Sequence, residues 1–287
     1  LPRTYPGTSA AVMGLFSGLH TKVAVYMLYR LYVQLFDLEQ RWNVLIIVIM
    51  IISMMIGAFG GLAENSIRRV LGYQMLNGMP FILVMLAFTS DDPRRALAAG
   101  IMYTIHHMLT VGSLILASGA IEETYGTGLL SKLSGLARRD PIIAWIFAAG
   151  AFSVVGFPPF SGMWGKLMIV FEIARVGGAW AWIAIAAIII ASFAAFLAML
   201  RVWRKVFWGK GLPEDKVPDE LVIRKKLMAP SAALILGSLC MFIFSGIVLD
   251  VVDAAAEQLL DTTAYTETVL GDEPIAVPTI DEIQEGR

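Results

Sequence analysis

Four ionisable side chains in this sequence stand where ionisable groups are costly. Lys22 lies in the middle of an apolar run, His106 and His107 sit side by side in the middle of another, and Lys166 follows Pro158-Pro159 by a few residues. A charged group at the bilayer centre costs at least about 2.5–3.5 kcal/mol and is normally held by protein or water and put to use. At about 1.5 Å per residue, Lys22 is roughly 20 Å from either end of its run, too far for its stem to reach an interface. Two roles fit such a lysine. It is tied structurally to a carbonyl or carboxylate, or it takes and releases a proton as neighbouring charges change. Histidine titrates near neutral pH and suits a proton relay. Neighbouring helix positions point about 100° apart, so one of His106 and His107 is expected to face a pathway and the other to pack. Glu172 falls three residues before Arg175, a spacing that predicts a local ion pair near the outer face.

These groups need apolar helices to position them, and the composition supplies those helices. The chain has 287 residues, 57% hydrophobic and 16% charged, against about 45–50% and about 25% in soluble domains. The excess apolar surface predicts an all-α polytopic membrane protein. Stretches of about 20 residues with sparse charge occur at 9–36, 43–63, 69–89, 94–121, 141–175, 179–206 and 228–250. About seven transmembrane helices follow. The fifth stretch is too long for one straight crossing, and Pro158 and Pro159 near its middle remove two backbone donors, so it is expected to break into two half-helices. A broken helix at membrane depth frees backbone groups that line ion pathways in transporters. Ser161, Gly162 and Lys166 then open the second half-helix. A re-entrant bend with Lys166 near an interface is the plainer alternative.

One cysteine and three histidines leave no disulfide framework and little for metal ligation or haem attachment. No metal or cofactor site is expected, and nucleic acid is not an expected partner. The net charge of −1 conceals a sorted distribution, because residues 250–287 carry ten carboxylates against Arg287 alone. With the N-terminal end inside, fourteen lysines and arginines fall on the inner side and five (Arg30, Arg41, Arg94, Arg95, Arg175) on the outer side. That agrees with the inward excess of basic residues in membrane proteins. The expected division is membrane helices over 1–206, a basic cytoplasmic loop over 207–227, a last transmembrane helix over 228–250 and an acidic extracytoplasmic tail over 251–287. Pro213-Glu214-Asp215-Lys216-Val217-Pro218-Asp219-Glu220 reads as a polar linker or the start of a surface helix. The chain opens on Leu1 with no secretory signal features, and is expected to be a piece of a longer protein.

Several segments match a known pattern. Leu1-Pro2-Arg3-Thr4-Tyr5, Leu15-Phe16-Ser17-Gly18-Leu19-His20-Thr21-Lys22-Val23, Ile105-His106-His107-Met108-Leu109, Tyr125-Gly126-Thr127-Gly128 and Phe157-Pro158-Pro159-Phe160-Ser161-Gly162-Met163-Trp164-Gly165-Lys166 resemble the proton-translocating antiporter-like subunits. That family unites Mrp-type sodium/proton antiporters with large membrane subunits of respiratory complex I. The segment from Leu259 to Leu270 is similar to the corresponding part of the D subunits of Mrp-type antiporters. The resemblance implies the last seven of about fourteen spans, arranged as two inverted repeats, with a relay glutamate and lysine in the preceding half. It implies Lys22 as the central relay lysine, His107 as a bridging group and Lys166 as the terminal lysine beside the helix break. His20, Thr21 and His106 are supporting positions. Partners would be the other subunits of a hetero-oligomeric antiporter complex in the plasma membrane, with protons and monovalent cations, sodium foremost, as cargo and no enzymatic step.

Two positions depart from the family pattern. Val111 stands where many members carry a lysine, and the span after Arg68-Arg69 offers Gln74 and Asn77, expected to hold water, in place of a hydroxyl-rich turn. A proton-pumping subunit of a quinone oxidoreductase is the nearest alternative. A membrane scaffold that moves no ions is a third reading, for which Val111 is the best support.

Overall fold

The structure is a computed structural model that describes residues 2–212, 218 and 221–271. Apart from Pro218, the linker expected at 213–220 lies outside the described residues, as does the acidic end beyond Gly271. All regular elements of the described chain are helical. The first span runs from Ala10 to Gln34 as α1 (Ala10–Leu15), a wide turn (Phe16–His20) and α2 (Thr21–Gln34). α3 (Asn43–Ala63) and α4 (Ile67–Leu83) follow, α4 continuing as a tight turn through Ala87. α5 (Pro93–Tyr125) is the longest helix, capped by the Asp92 carboxylate on the Arg95 N–H and ended by Gly126 at φ 69°, where glycine escapes the left-handed penalty. After the short α6 (Leu136–Arg139), the expected broken span appears as α7 (Pro141–Val155) and α8 (Ser161–Val176). α9 (Gly178–Val202) leads to a wide turn, and α10 (Lys225–Ile243), α11 (Ser245–Leu260) and α12 (Thr262–Leu270) complete the described chain.

Six of these helical stretches are long and apolar enough to cross a membrane, and the α7/α8 pair makes the seventh. The seventh expected stretch, 228–250, differs in its end. Its helix stops at Ile243 and a new one starts at Ser245. Ser245 and Gly246 are poor helix formers that favour a break, although the apolar pattern runs on to Leu249. Asp250, Asp253 and Glu257 therefore lie on a helix packed against α5, and Arg94 pairs with Asp253 at 3.3 Å.

α5 is central, touching α1, α4, α7, α8, α10 and α11. A helix surrounded by protein can carry polar side chains that lipid would not accept. The outer helices show the opposite pattern. Leu45, Ile49, Ile52, Ile56 and Phe59 of α3 are exposed along one face, as expected of a surface that meets acyl chains. α3 and α4 approach closely because Gly57, Gly60 and Gly61 lie opposite Asn77, Tyr73 and Val70. Small residues at a helix contact substitute packing for the hydrophobic effect that is missing inside a membrane.

The interior is two apolar clusters with a polar layer between them. One cluster takes Phe81 to Ala87 of α4, Ala96 to Tyr103 of α5 and Met241 of α10. The other takes Ile67 to Met75, Val111 to Ile121 and Met228 to Ile235 from the same three helices. Between them, each helix carries buried polar groups. These are Asn77 on α4, His106, His107 and Thr110 on α5, and Ser238 on α10.

Tyr29 ties α2 into this arrangement by donating to the Ile82 carbonyl at 2.7 Å, its hydroxyl seated where a Cβ on Gly100 would stand. Tyr29→Phe removes this buried hydrogen bond and is expected to cost about 1 kcal/mol. Thermal unfolding of the purified protein checks this.

Candidate functional site

The wide turn at Phe16–His20 prepares the first half of the site. It carries the Thr21 N–H back five residues to Phe16 O instead of four to Ser17 O. The Ser17 carbonyl instead accepts from Thr21 Oγ1 at 3.1 Å and Lys22 Nζ at 2.7 Å. Lys22 Nζ also lies 2.8 Å from His107 Nδ1 and 3.3 Å from Thr21 Oγ1. Both Lys22 and His107 are buried. A lysine in contact with an imidazole nitrogen is arranged for proton exchange, since each can hold the proton the other releases. Gly78 admits the imidazole, because a Cβ there would overlap the ring.

The helix break prepares the second half. In a continuous helix the carbonyls of Val154 and Val155 would accept from residues 158 and 159. Both of those are proline and have no N–H to give. Gly156, at φ 102°, ends α7, and its N–H bonds to Phe152 O and Ser153 O. The Pro158-Pro159 bond is cis. Lys166, in the second turn of α8, reaches back and donates to Val155 O at 2.9 Å and to Ser192 Oγ of α9 at 2.8 Å. The sequence-predicted break and its lysine are thus in direct contact. Lys166 Nζ stands 5.2 Å from the Phe81 ring centroid, within range of a cation–π attraction. Phe81 stacks on Tyr103 at 5.1 Å, and Tyr103 meets His106 edge-on at 5.1 Å.

His106 connects α5 to the break. Its Nδ1 lies 2.9 Å from Ser161 Oγ, the first residue of α8, and 3.3 Å from Thr110 Oγ1. Thr110, Ser153 of α7 and Ser238 of α10 extend this contact through hydroxyl pairs. Gly162 brings α8 against α7 here, because a Cβ on it would strike Ser153 O and lie 2.8 Å from His106 Cε1. The two histidines therefore divide the polar layer. His107 turns to Lys22 and His106 to the break, so neither is a plain packing residue. The sequence did not single out Tyr103, Thr110, Ser153, Ser192 or Ser238. Thr110 is one turn after His106, but isolated hydroxyls in apolar helices are too common to stand out.

The remaining expected positions fall as follows. Gln74 and Asn77 are buried, and among the described residues the Gln74 amide oxygen and nitrogen and the Asn77 amide oxygen have no hydrogen-bond partner. His20 does not join the cluster. Two positions before Lys22 it points about 200° away around the helix, is exposed, and lies 3.3 Å from the Tyr5 hydroxyl. Val111 is buried with Leu114 and Ile115 in an apolar cluster. The Glu172–Arg175 pair forms at 3.6 Å, with Asp91 also 3.7 Å from Arg175. Among the described residues no three His, Cys, Asp or Glu side chains group as metal ligands.

A bundle of apolar helices, one broken at membrane depth and enclosing a buried lysine–histidine layer, defines a multi-pass membrane protein. The chain belongs to the NADH:quinone oxidoreductase/Mrp antiporter transmembrane family, whose model matches residues 1–195. It is 32% identical over 272 residues to the Na(+)/H(+) antiporter D subunit of Bacillus subtilis, covering 94% of this chain and 53% of that protein. It is 29% identical over 273 residues to the Na(+)/H(+) antiporter D subunit of Alkalihalophilus pseudofirmus, with the same coverage of 94% and 53%. The fold is similar to a chain of the Mrp complex from Dietzia sp. DQ12-45-1b, with a TM-score of 0.87 and 33% identity over 94% of this chain and 57% of that one. The chain spans about half the length of the curated relatives it matches.

Proposed function

We propose that this chain is the C-terminal half of a component, akin to the D subunits above, of a multi-subunit monovalent cation/proton antiporter. The observation that carries the reading is the buried contact of Lys22 Nζ with His107 Nδ1 at 2.8 Å, next along α5 to His106, which contacts Ser161 at the start of the half-helix carrying Lys166. Protons move laterally through Lys22, His107 and Lys166. His106 and Thr21 support them, and water is held by Gln74 and Asn77. Each charge biases its neighbour, since like charges at close range disfavour one another. Transfer among such groups needs no covalent chemistry and no cofactor, and the chain acts as a transporter subunit without an enzymatic step. Pro158, Pro159, Ser161 and Gly162 shape the exit.

Sodium is the cation proposed, by likeness to the relatives' names, and the partners are the other subunits of the assembly. The setting is the plasma membrane. The basic segment over 207–227 faces the cytoplasm and the acidic end over 251–287 faces out, in keeping with the sorting of charges.

Lys166→Ala in the full-length subunit, expressed with its partner subunits, tests this. Sodium-driven collapse of the pH gradient in everted membrane vesicles is expected to fall about 10²-fold or more, the scale of a lost proton-transfer group. Undiminished exchange sinks the proposal. Copurification with flavin and iron–sulfur subunits would mark the quinone oxidoreductase alternative instead.

A further inference from the structure

The hydroxyls around His106 form a closed circuit whose proton count has a consequence for the relay. From His106 Nδ1 the contacts run to Ser161 Oγ at 2.9 Å, Ser238 Oγ at 2.7 Å, Ser153 Oγ at 3.0 Å and Thr110 Oγ1 at 2.8 Å, and return to Nδ1 at 3.3 Å. All five residues are buried. Three helices and the start of a half-helix meet in this circuit: α5, α7, α10 and α8. Each hydroxyl has one proton to donate, while Nδ1 has one in-plane position that either accepts or donates.

With Nδ1 bare, the protons align from Thr110 through Ser153, Ser238 and Ser161 to Nδ1, and every one is used. With Nδ1 protonated, Ser161 accepts and donates onward to Ser238, which donates to Ser153, which donates to Thr110. Thr110 then turns its own proton to a carbonyl in the preceding turn, the ordinary outlet of a helical threonine. The chain reverses direction, by hydroxyl rotation alone. Ser238 is the middle link in both directions and also accepts from the Ser161 N–H at 3.3 Å. It is the one member supplied by α10, of the four helices in the circuit the one farthest along the sequence from the break.

We infer that Ser238 is a positioning residue for His106, joining the protonation of its Nδ1 to the packing of α10 on the α7/α8 break. The inference rests on the relay reading and gives it a regulation. A proton on Nδ1 of His106 is registered at the break as a reversed hydroxyl chain, and the break cannot change shape without disturbing Ser238. The titratable groups that face His106 are His107 and Tyr103 on its own helix, Lys22 on α2 and Lys166 on α8. From α7 and α10 it meets the hydroxyls of Ser153 and Ser238.

Ser238→Ala in the full-length subunit with its partners is the test. Ser231→Ala serves as control, because Ser231 is equally buried on α10 but its hydroxyl donates to the Met228 carbonyl away from His106. Ser238→Ala is expected to slow exchange about tenfold, the equivalent of one lost buried hydrogen bond, to displace the pH profile of exchange and to alter the Nδ1 nitrogen NMR resonance of His106. Ser238→Thr should restore the rate and the profile, and Ser231→Ala should leave both unchanged. An unaltered profile and an unaltered His106 resonance overturn the inference, even if the rate falls. Should Ser238→Ala fail to assemble, Ser153→Ala cuts the same chain one link away and is judged by the same resonance. Retained exchange in a Lys166→Ala subunit would overturn the relay instead, leaving the resonance to decide on Ser238.

Discussion

Lys22→Ala in the full-length subunit is expected to abolish cation/proton exchange, lowering it about 10²-fold or more, while the protein still reaches the membrane. Lys22 Nζ makes three contacts, to Ser17 O, Thr21 Oγ1 and His107 Nδ1. Alanine leaves the Ser17 carbonyl to Thr21, which already donates to it. The structural loss is therefore modest. The functional loss is the proton-bearing atom itself, and His107 Nδ1 is left facing an apolar methyl. Lys22→Arg separates the two roles. A guanidinium can keep the Ser17 carbonyl satisfied, but it is always charged and does not release its proton. Both variants should be inactive in everted vesicles, Lys22→Ala for want of a proton-bearing atom and Lys22→Arg because its proton stays bound. Exchange sustained by either one at the parent rate would show that the proton passes elsewhere.

What the sequence disclosed follows from how strongly each feature perturbs an apolar background. Lys22 and Lys166 were legible because a charge in a long apolar run has no innocent explanation of equal weight. The break was legible because two adjacent prolines remove donors whatever the surroundings. What joins these features was not legible. The contact of Lys166 with the Val155 carbonyl follows once the break is granted, but its second partner, Ser192, is a single hydroxyl on α9 with no spacing to announce it. Ser238 on α10 likewise has no spacing to announce it, and nothing in the sequence tells it apart from Ser231, buried on the same helix. The wide turn at Phe16–His20, which frees the Ser17 carbonyl for Lys22, carries no proline to mark it. His20 shows the opposite error: the resemblance made it a supporting position, and the helix turns the side chain away from Lys22. The end of α10 at Ile243 was hidden because Phe244-Ser245-Gly246 interrupts the helix without interrupting the apolar pattern.

The second large effect concerns a residue with no side chain. Gly162→Ala is expected to dismantle the site, because the added Cβ has nowhere to go. It would strike the Ser153 carbonyl oxygen and lie 2.8 Å from His106 Cε1. Neither obstacle is a flexible side-chain end. The Ser153 carbonyl is bonded to the Gly156 N–H at the end of α7, and the His106 ring is held between Tyr103 and Ser161. Relief requires α8 to draw away from α7, which opens the Ser161 contacts with His106 and Ser238 and pulls Lys166 from Val155 O. Overpacking of this kind costs about 1–3 kcal/mol, and each buried polar group left without a partner adds about 1–3 kcal/mol. Gly246→Ala is the fitting comparison, since a Cβ there meets nothing within 4 Å, and a substitution clear of such contacts changes stability by less than about 0.5 kcal/mol. Heat-induced loss of the monodisperse protein on size-exclusion chromatography should separate the two variants. A Gly162→Ala protein as stable as Gly246→Ala, and as active as the parent, would mean that the two half-helices do not meet this closely.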